Sequence, residues 1–173
     1  MRRRTSRGPE AAEALALLGA AGATLATVES LTGGRLASAV TAVPGASASY
    51  LGGFVTYATA LKESLVGVPH ELVEQYGVVS AECARAMAEG CRTATGATYA
   101  LATTGVAGPD SQEGKPVGTV YVGLAGPEGV SALTMELVGD RAQIQDRACR
   151  EALSALCGTL RVRKSPGEQP PLR

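Results

Sequence analysis

Thr27-Val28-Glu29-Ser30-Leu31-Thr32-Gly33-Gly34 is a strand running into a helix, and its reading decides the fold. The apolar run Ala23–Val28 reads as a buried strand, and the glycine pair turns the backbone into a helix beginning near Arg35. Ser30 then stands where a strand ends. Open α/β sheets build their sites there, with N–H groups at the next helix start available to an oxyanion or a phosphate. A serine before Gly-Gly also reads simply as a turn, so its meaning depends on what else the chain holds.

The chain holds one histidine, His70, in Val68-Pro69-His70-Glu71-Leu72. That setting reads as a solvated helix start with neither an orienting carboxylate nor a strand end, which argues against a Ser-His-Asp site. A nucleophilic Ser30 would therefore take a lysine as its base. The lysines are Lys62, Lys115 and Lys164; the last falls in a polar tail, and Lys62 leads. Its plain alternative is a solvated lysine at a helix start, paired with Glu63 or Glu29. Tyr57 reads equally as a half-buried strand tyrosine.

Outward from the junction, helices and strands are interspersed. The pattern predicts a helix over Pro9–Ala21, the first strand, a helix over Arg35–Thr41 and a strand over Tyr50–Tyr57, in which Gly52-Gly53 signals a bulge or close approach. Short helices follow over Ala60–Leu65 and His70–Tyr76, and Ser80 caps a helix running to Thr95. Cys83, Met87 and Cys91 form its apolar stripe, which is a core pattern. Thr98–Thr103 is the third strand. Pro116–Leu124 and Val130–Val138 form a hairpin through Gly126-Pro127-Glu128-Gly129. A final long helix starts at Asp140 and carries Ile144, Ala148, Ala152, Leu156 and Leu160. The fold class is a three-layer α/β/α sandwich on a mixed sheet with a C-terminal antiparallel hairpin.

A chain of 173 residues, 45% of them hydrophobic, forms one core. The expected organisation is a flexible basic start (1–8), a single domain (9–162) and a disordered tail (163–173). Sixteen Lys and Arg balance sixteen Asp and Glu, and with one Phe and no Trp there is neither a basic field nor a stacking platform for nucleic acid. No apolar stretch approaches the roughly 20 residues a bilayer requires, and the acidic Glu10 and Glu13 argue against a secretion signal. Cys83, Cys91, Cys149 and Cys157 lack C-x-x-C spacing and read as reduced core thiols, which fits a cytoplasmic protein with no metal. Nothing indicates a cofactor. Oligomeric state stays open, a homo-oligomer being the form that small α/β enzymes often take.

Together with the junction, the segments Gly53-Phe54-Val55-Thr56-Tyr57, Lys62, Gly77-Val78-Val79-Ser80, Thr104-Gly105-Val106-Ala107-Gly108-Pro109, Lys115-Pro116-Val117-Gly118-Thr119-Val120 and Gly139-Asp140-Arg141 carry a family likeness. In this order they resemble the CinA C-terminal domain family, the nicotinamide-nucleotide amidases, over Leu15 to Leu160. The resemblance implies a hydrolase that converts nicotinamide mononucleotide to nicotinate mononucleotide and ammonia in pyridine-nucleotide recycling. It puts the nucleophile on Ser30, the lysine on Lys62 and the tyrosine on Tyr57. Two departures stand out: the segment Asp110–Lys115 is shorter and less glycine-rich than the usual family loop, and Leu31 stands where many members have Cys.

A neutral Lys62 is required, so the site must hold its pKa well below the ordinary value of about 10.4. Candidates for the substrate's phosphate are Thr32, Gly33 and Gly34, the turn Thr104, Gly105, Ala107 and Gly108, and Arg141. A non-catalytic nucleotide-binding module of the same fold, or a Ser/Lys amidase of another small amide, are the alternatives.

Overall fold

The computed structural model describes residues 8–164. Five strands form one mixed sheet in the order β2-β1-β3-β4-β5. Central β1 (Leu25–Glu29) pairs in parallel with β2 (Tyr50–Val55) and with β3 (Tyr99–Gly105). Antiparallel β4 (Thr119–Gly126) and β5 (Gly129–Glu136) complete the sheet as a hairpin. Six α-helices accompany them among the described residues: α1 (Pro9–Ala21), α2 (Arg35–Thr41), α3 (Thr59–Val66), α4 (His70–Tyr76), α5 (Ala81–Thr95) and α6 (Arg141–Lys164).

Side-chain alternation in the central strands sorts the helices into two layers. Leu25 of β1 with Tyr99 and Leu101 of β3 face a core shared with α1, α2 and α6. Ala26 and Val28 with Ala100 and Ala102 face the opposite core, where Cys83, Met87 and Cys91 of α5 meet Val66 of α3. Burial on both faces explains why these strands read as continuous apolar runs. The expected three-layer sandwich on a mixed sheet is the fold observed. The chain leaves β1 toward β2 on one side and later returns to β3 on the other. The carboxyl end of β1 is thus a switch point, where open α/β sheets leave a crevice.

Several boundaries differ from the sequence reading. β1 begins at Leu25, because the N–H of Ala23 closes α1 by donating to Leu18 O at 2.9 Å. β2 ends at Val55, after Thr56 donates its N–H to Glu29 O at 2.8 Å and the partner strand runs out. Tyr57 therefore sits in a loop, 62% exposed, not half-buried in a strand. The register slips between Leu25 and Ala26, which pair with Tyr50 and Gly52, so the glycine pair does mark a bulge. The hairpin turn is tighter than expected, with Gly126 pairing directly with Gly129. Asp140 caps α6 reciprocally, its Oδ1 accepting from Gln143 N and its N–H donating to Gln143 Oε1, both at 2.9 Å. At its other end α6 continues through Lys164, past the boundary expected at 162, as Arg163 donates to Tyr99 Oη at 2.7 Å and pairs with Glu128. The expected flexible start and tail otherwise lie outside the described residues.

All four cysteines are buried and free. Burial pushes Cys83 and Cys157 up to about 11 and Cys91 and Cys149 up to about 12, leaving neutral thiols that pack as small apolar groups.

Candidate active site

Ser30 follows β1 directly and is held to the neighbouring strand by its own N–H, which donates to Thr103 O at 2.9 Å. Below it, Glu29 is fully buried, with no salt bridge among the described residues. Its Oε1 accepts from Leu36 N at 2.8 Å and from Thr32 Oγ1 at 2.6 Å, and its Oε2 accepts from Ala37 N at 3.0 Å. Gly34 at the cap position offers no side chain, so the strand's last residue caps α2 instead. A carboxylate at a helix N-terminus is stabilised there by the free N–H groups and the helix dipole. The N–H groups of Leu36 and Ala37 at this helix start are thereby taken. Gly33 and Arg35 donate to Ser30 O and Thr32 O as well.

Lys62 reaches Ser30 from α3. It lies on the inner face of the helix one turn before buried Val66 and is 1% exposed. Its Nζ is 3.2 Å from Ser30 Oγ and donates to Thr56 O at 2.6 Å. Neither carboxylate expected as a surface partner is available, since Glu63 bonds His70 Nδ1 at 3.0 Å and Glu29 is engaged under α2. Burial lowers the Lys62 pKa from its ordinary value, partly countered by Cys83 and Glu113. The neutral amine, the form able to accept a proton, is favoured accordingly.

α3 can lie this deep because of Gly90 on α5. A Cβ there would collide with the carbonyl of Val66 at the end of α3.

Ser30 and Lys62 open into a cavity of about 230 Å³. Tyr57, Thr104, Gly105, Ala107, Gly108 and Arg141 line it too, as the sequence reading grouped them. Thr32, Gly33 and Gly34 do not line it; buried Thr32 is spent on Glu29 and Thr103 instead. Tyr57 takes its hydrogen bond from Arg141 Nη2 at 3.1 Å, at the exposed rim and not at Ser30 or Lys62. Arg141 Nη1 also donates to Gly108 O. Among the described residues the N–H groups of Leu31, Ala107 and Gly108 have no acceptor. His70 lies at the start of α4, outside the cavity.

The cavity's remaining wall comes from segments that the sequence reading quoted for the family likeness without naming them as site residues. Val78 and Val79 line it, together with Asp110 and Gln112 from the loop after β3. Residues Gln112 to Lys115 form a tight turn closed by mutual backbone bonds of 3.1 and 2.9 Å, with Glu113 at φ 52° and Gly114 at φ 72°. The Glu113 carboxylate accepts from Val78 N at 3.0 Å and Val79 N at 2.9 Å, and Lys115 Nζ donates to Val79 O. The dipeptide Glu113-Gly114 was the signal available, a charged residue before a turn glycine.

A serine–lysine pair at the switch point of a doubly wound α/β domain defines the class. Comparison with known proteins makes it specific. The family model of the CinA C-terminal domain matches residues 9–160, and the chain belongs to that family. A CinA-like protein of Frankia casuarinae is 54% identical over 139 residues, covering 80% of this chain and 32% of its own. One from Anaeromyxobacter sp. strain Fw109-5 is 50% identical over 148 residues, 85% of this chain and 36% of its own. The chain thus spans about a third of the length of these relatives. The CinA superfamily protein of Klebsiella pneumoniae 700603 superposes with a TM-score of 0.88 at 32% identity, covering 91% of this chain and 99% of that one. The competence/damage inducible protein CihA of Agrobacterium tumefaciens does so with 0.83 at 34% identity, covering 89% and 96%. Among the described residues no helix is long and apolar enough to cross a membrane, and no cluster of His, Cys, Asp or Glu is built to hold a metal ion.

Proposed function

We propose that the chain is a serine amidohydrolase that deamidates nicotinamide mononucleotide to nicotinate mononucleotide and ammonia. The observation that carries this reading is the buried Lys62 amine 3.2 Å from Ser30 Oγ, with no carboxylate paired to it among the described residues. A neutral amine that donates one N–H to Thr56 O keeps its lone pair for the Ser30 hydroxyl proton.

Ser30 Oγ attacks the carboxamide carbon as Lys62 takes its proton, and a tetrahedral intermediate forms. The oxyanion finds donors in the unengaged N–H groups of Leu31, Ala107 and Gly108. Lys62 passes its proton to the amide nitrogen, the C–N bond breaks and ammonia leaves an ester on Ser30. Water then gives a proton to Lys62 and attacks the ester. The C–O bond to Ser30 breaks, Lys62 returns its proton to Ser30 Oγ, and the product leaves as the carboxylic acid, which ionises by giving its remaining proton to ammonia or solvent. Arg141 supplies the positive charge that suits a phosphate at the mouth, and Tyr57 holds that guanidinium in place.

The test compares ammonia release from nicotinamide mononucleotide and from its dephosphorylated riboside, in wild type and Arg141→Ala. The reading predicts turnover of the nucleotide and a loss in the variant that falls mainly on the nucleotide. Saturable nucleotide binding without ammonia would instead favour a binding module, and equal loss on both substrates would remove Arg141 from phosphate recognition.

A further inference from the structure

The turn 112–115 has no role in the chemistry above, yet three features are spent on fixing it. Glu113 adopts φ 52°, a left-handed conformation uncommon for a residue with a long side chain. It is held there by two consecutive N–H groups, those of Val78 and Val79, both of which line the cavity. Gly77 precedes them at φ 76°, and a Cβ there would occupy the space the carboxylate takes. Lys115 closes the other side by donating to Val79 O, with its Nζ 5.4 Å from the centre of the Tyr121 ring. Both oxygens of Glu113 accept hydrogen bonds, which is the arrangement of an ionised carboxylate.

We propose that Glu113 is a positioning residue of the active site: its carboxylate pins the turn 112–115 onto the Val78–Val79 segment and so fixes the wall that Asp110 and Gln112 present to the substrate. The inference rests on the amidase reading of the cavity. Without the pin, the segment carrying Asp110 and Gln112 keeps the Arg141 bond to Gly108 O and the Lys115 bond to Val79 O but loses both bonds of the turn's carboxylate, and a bound nucleotide must supply more of its order.

The same carboxylate acts on the base. The titratable groups that bear on Lys62 are Cys83 from α5 and Glu113 from the turn, with Tyr57, Asp110 and Arg141 lining the same cavity. Cys83, pushed up to about 11, is a neutral thiol at the pH of the assay. Glu113 is then the group whose negative charge favours the ammonium form of Lys62, against its burial.

Two variants separate these effects. Glu113→Gln keeps the shape and one acceptor but removes the charge. Its NH2 faces one of the two N–H groups, so the kcat/KM plateau is expected to fall, by less than in Glu113→Ala, while the rising limb moves to lower pH because Lys62 loses its proton earlier. Glu113→Ala removes the pin, and KM for nicotinamide mononucleotide is expected to rise roughly tenfold or more with a smaller change in kcat. Amide hydrogen exchange at Val78 and Val79 should accelerate in Glu113→Ala, and this readout needs no turnover. Wild-type exchange in that variant, or a wild-type KM with an unshifted Gln profile, overturns the inference. An inactive wild type whose Val78 and Val79 amides are nonetheless released in Glu113→Ala overturns the amidase reading while the pin stands.

Discussion

Lys62 is the decisive residue, because an amine buried beside a serine gains little structural return beyond its hydrogen bond to Thr56 O. Among the described residues it forms no salt bridge, and its buried charge costs stability that the rest of the fold offsets. Replacing it by methionine, of similar length and without charge, should lower kcat/KM by about 10²–10⁴ while leaving the melting temperature unchanged or higher. Thermal unfolding alongside the activity assay checks both. The pH dependence follows from the direction of the shift. With the folded pKa below the unfolded value, the native state binds fewer protons between the two, so stability rises with pH across that window. Activity should rise with pH along a limb set by the folded Lys62 pKa, below about 10.4. The sequence made Ser30 and Lys62 candidates through a strand end, a scarcity of lysines and a family likeness. Their mutual distance, and the engagement of Glu29 and Glu63 elsewhere, depend on side-chain directions that spacing does not encode. The Arg141 partner of Tyr57 was equally hidden, lying beyond three further strands in the chain.

At the scale of elements, a helix is positioned by a glycine on its neighbour. Gly90 lets the end of α3 rest on α5, and α3 carries Lys62. Gly90→Ala should destabilise the protein by about 1–3 kcal/mol, as overpacked cores do. It should also lower kcat more than KM, because the displaced group is the proposed base; denaturant unfolding and steady-state kinetics report the two effects. Element types were legible because each strand and helix announces its period and its breakers. Ends were less legible where tertiary bonds decide them. β2 stops when its partner strand stops, and α2 receives its cap from Glu29, six residues before its first helical residue. The Asp140 cap of α6, with its glutamine three residues on, is local and was readable as a start signal.

At the scale of the molecule, the parallel half β2-β1-β3 builds the crevice and the β4-β5 hairpin extends the sheet on the other side. Composition and alternation indicated two helical layers, but strand order is a long-range property that no local pattern carries. The order observed puts Ser30 at the switch point, the region where α3, the loop after β3 and the start of α6 converge. The central claim is that this convergence makes Ser30 a nucleophile served by Lys62. It is tested most directly by ammonia release from nicotinamide mononucleotide by wild type and Ser30→Ala, with EDTA in both. Release by the wild type should survive chelation and vanish in the variant. Release by Ser30→Ala at the wild-type rate would contradict it.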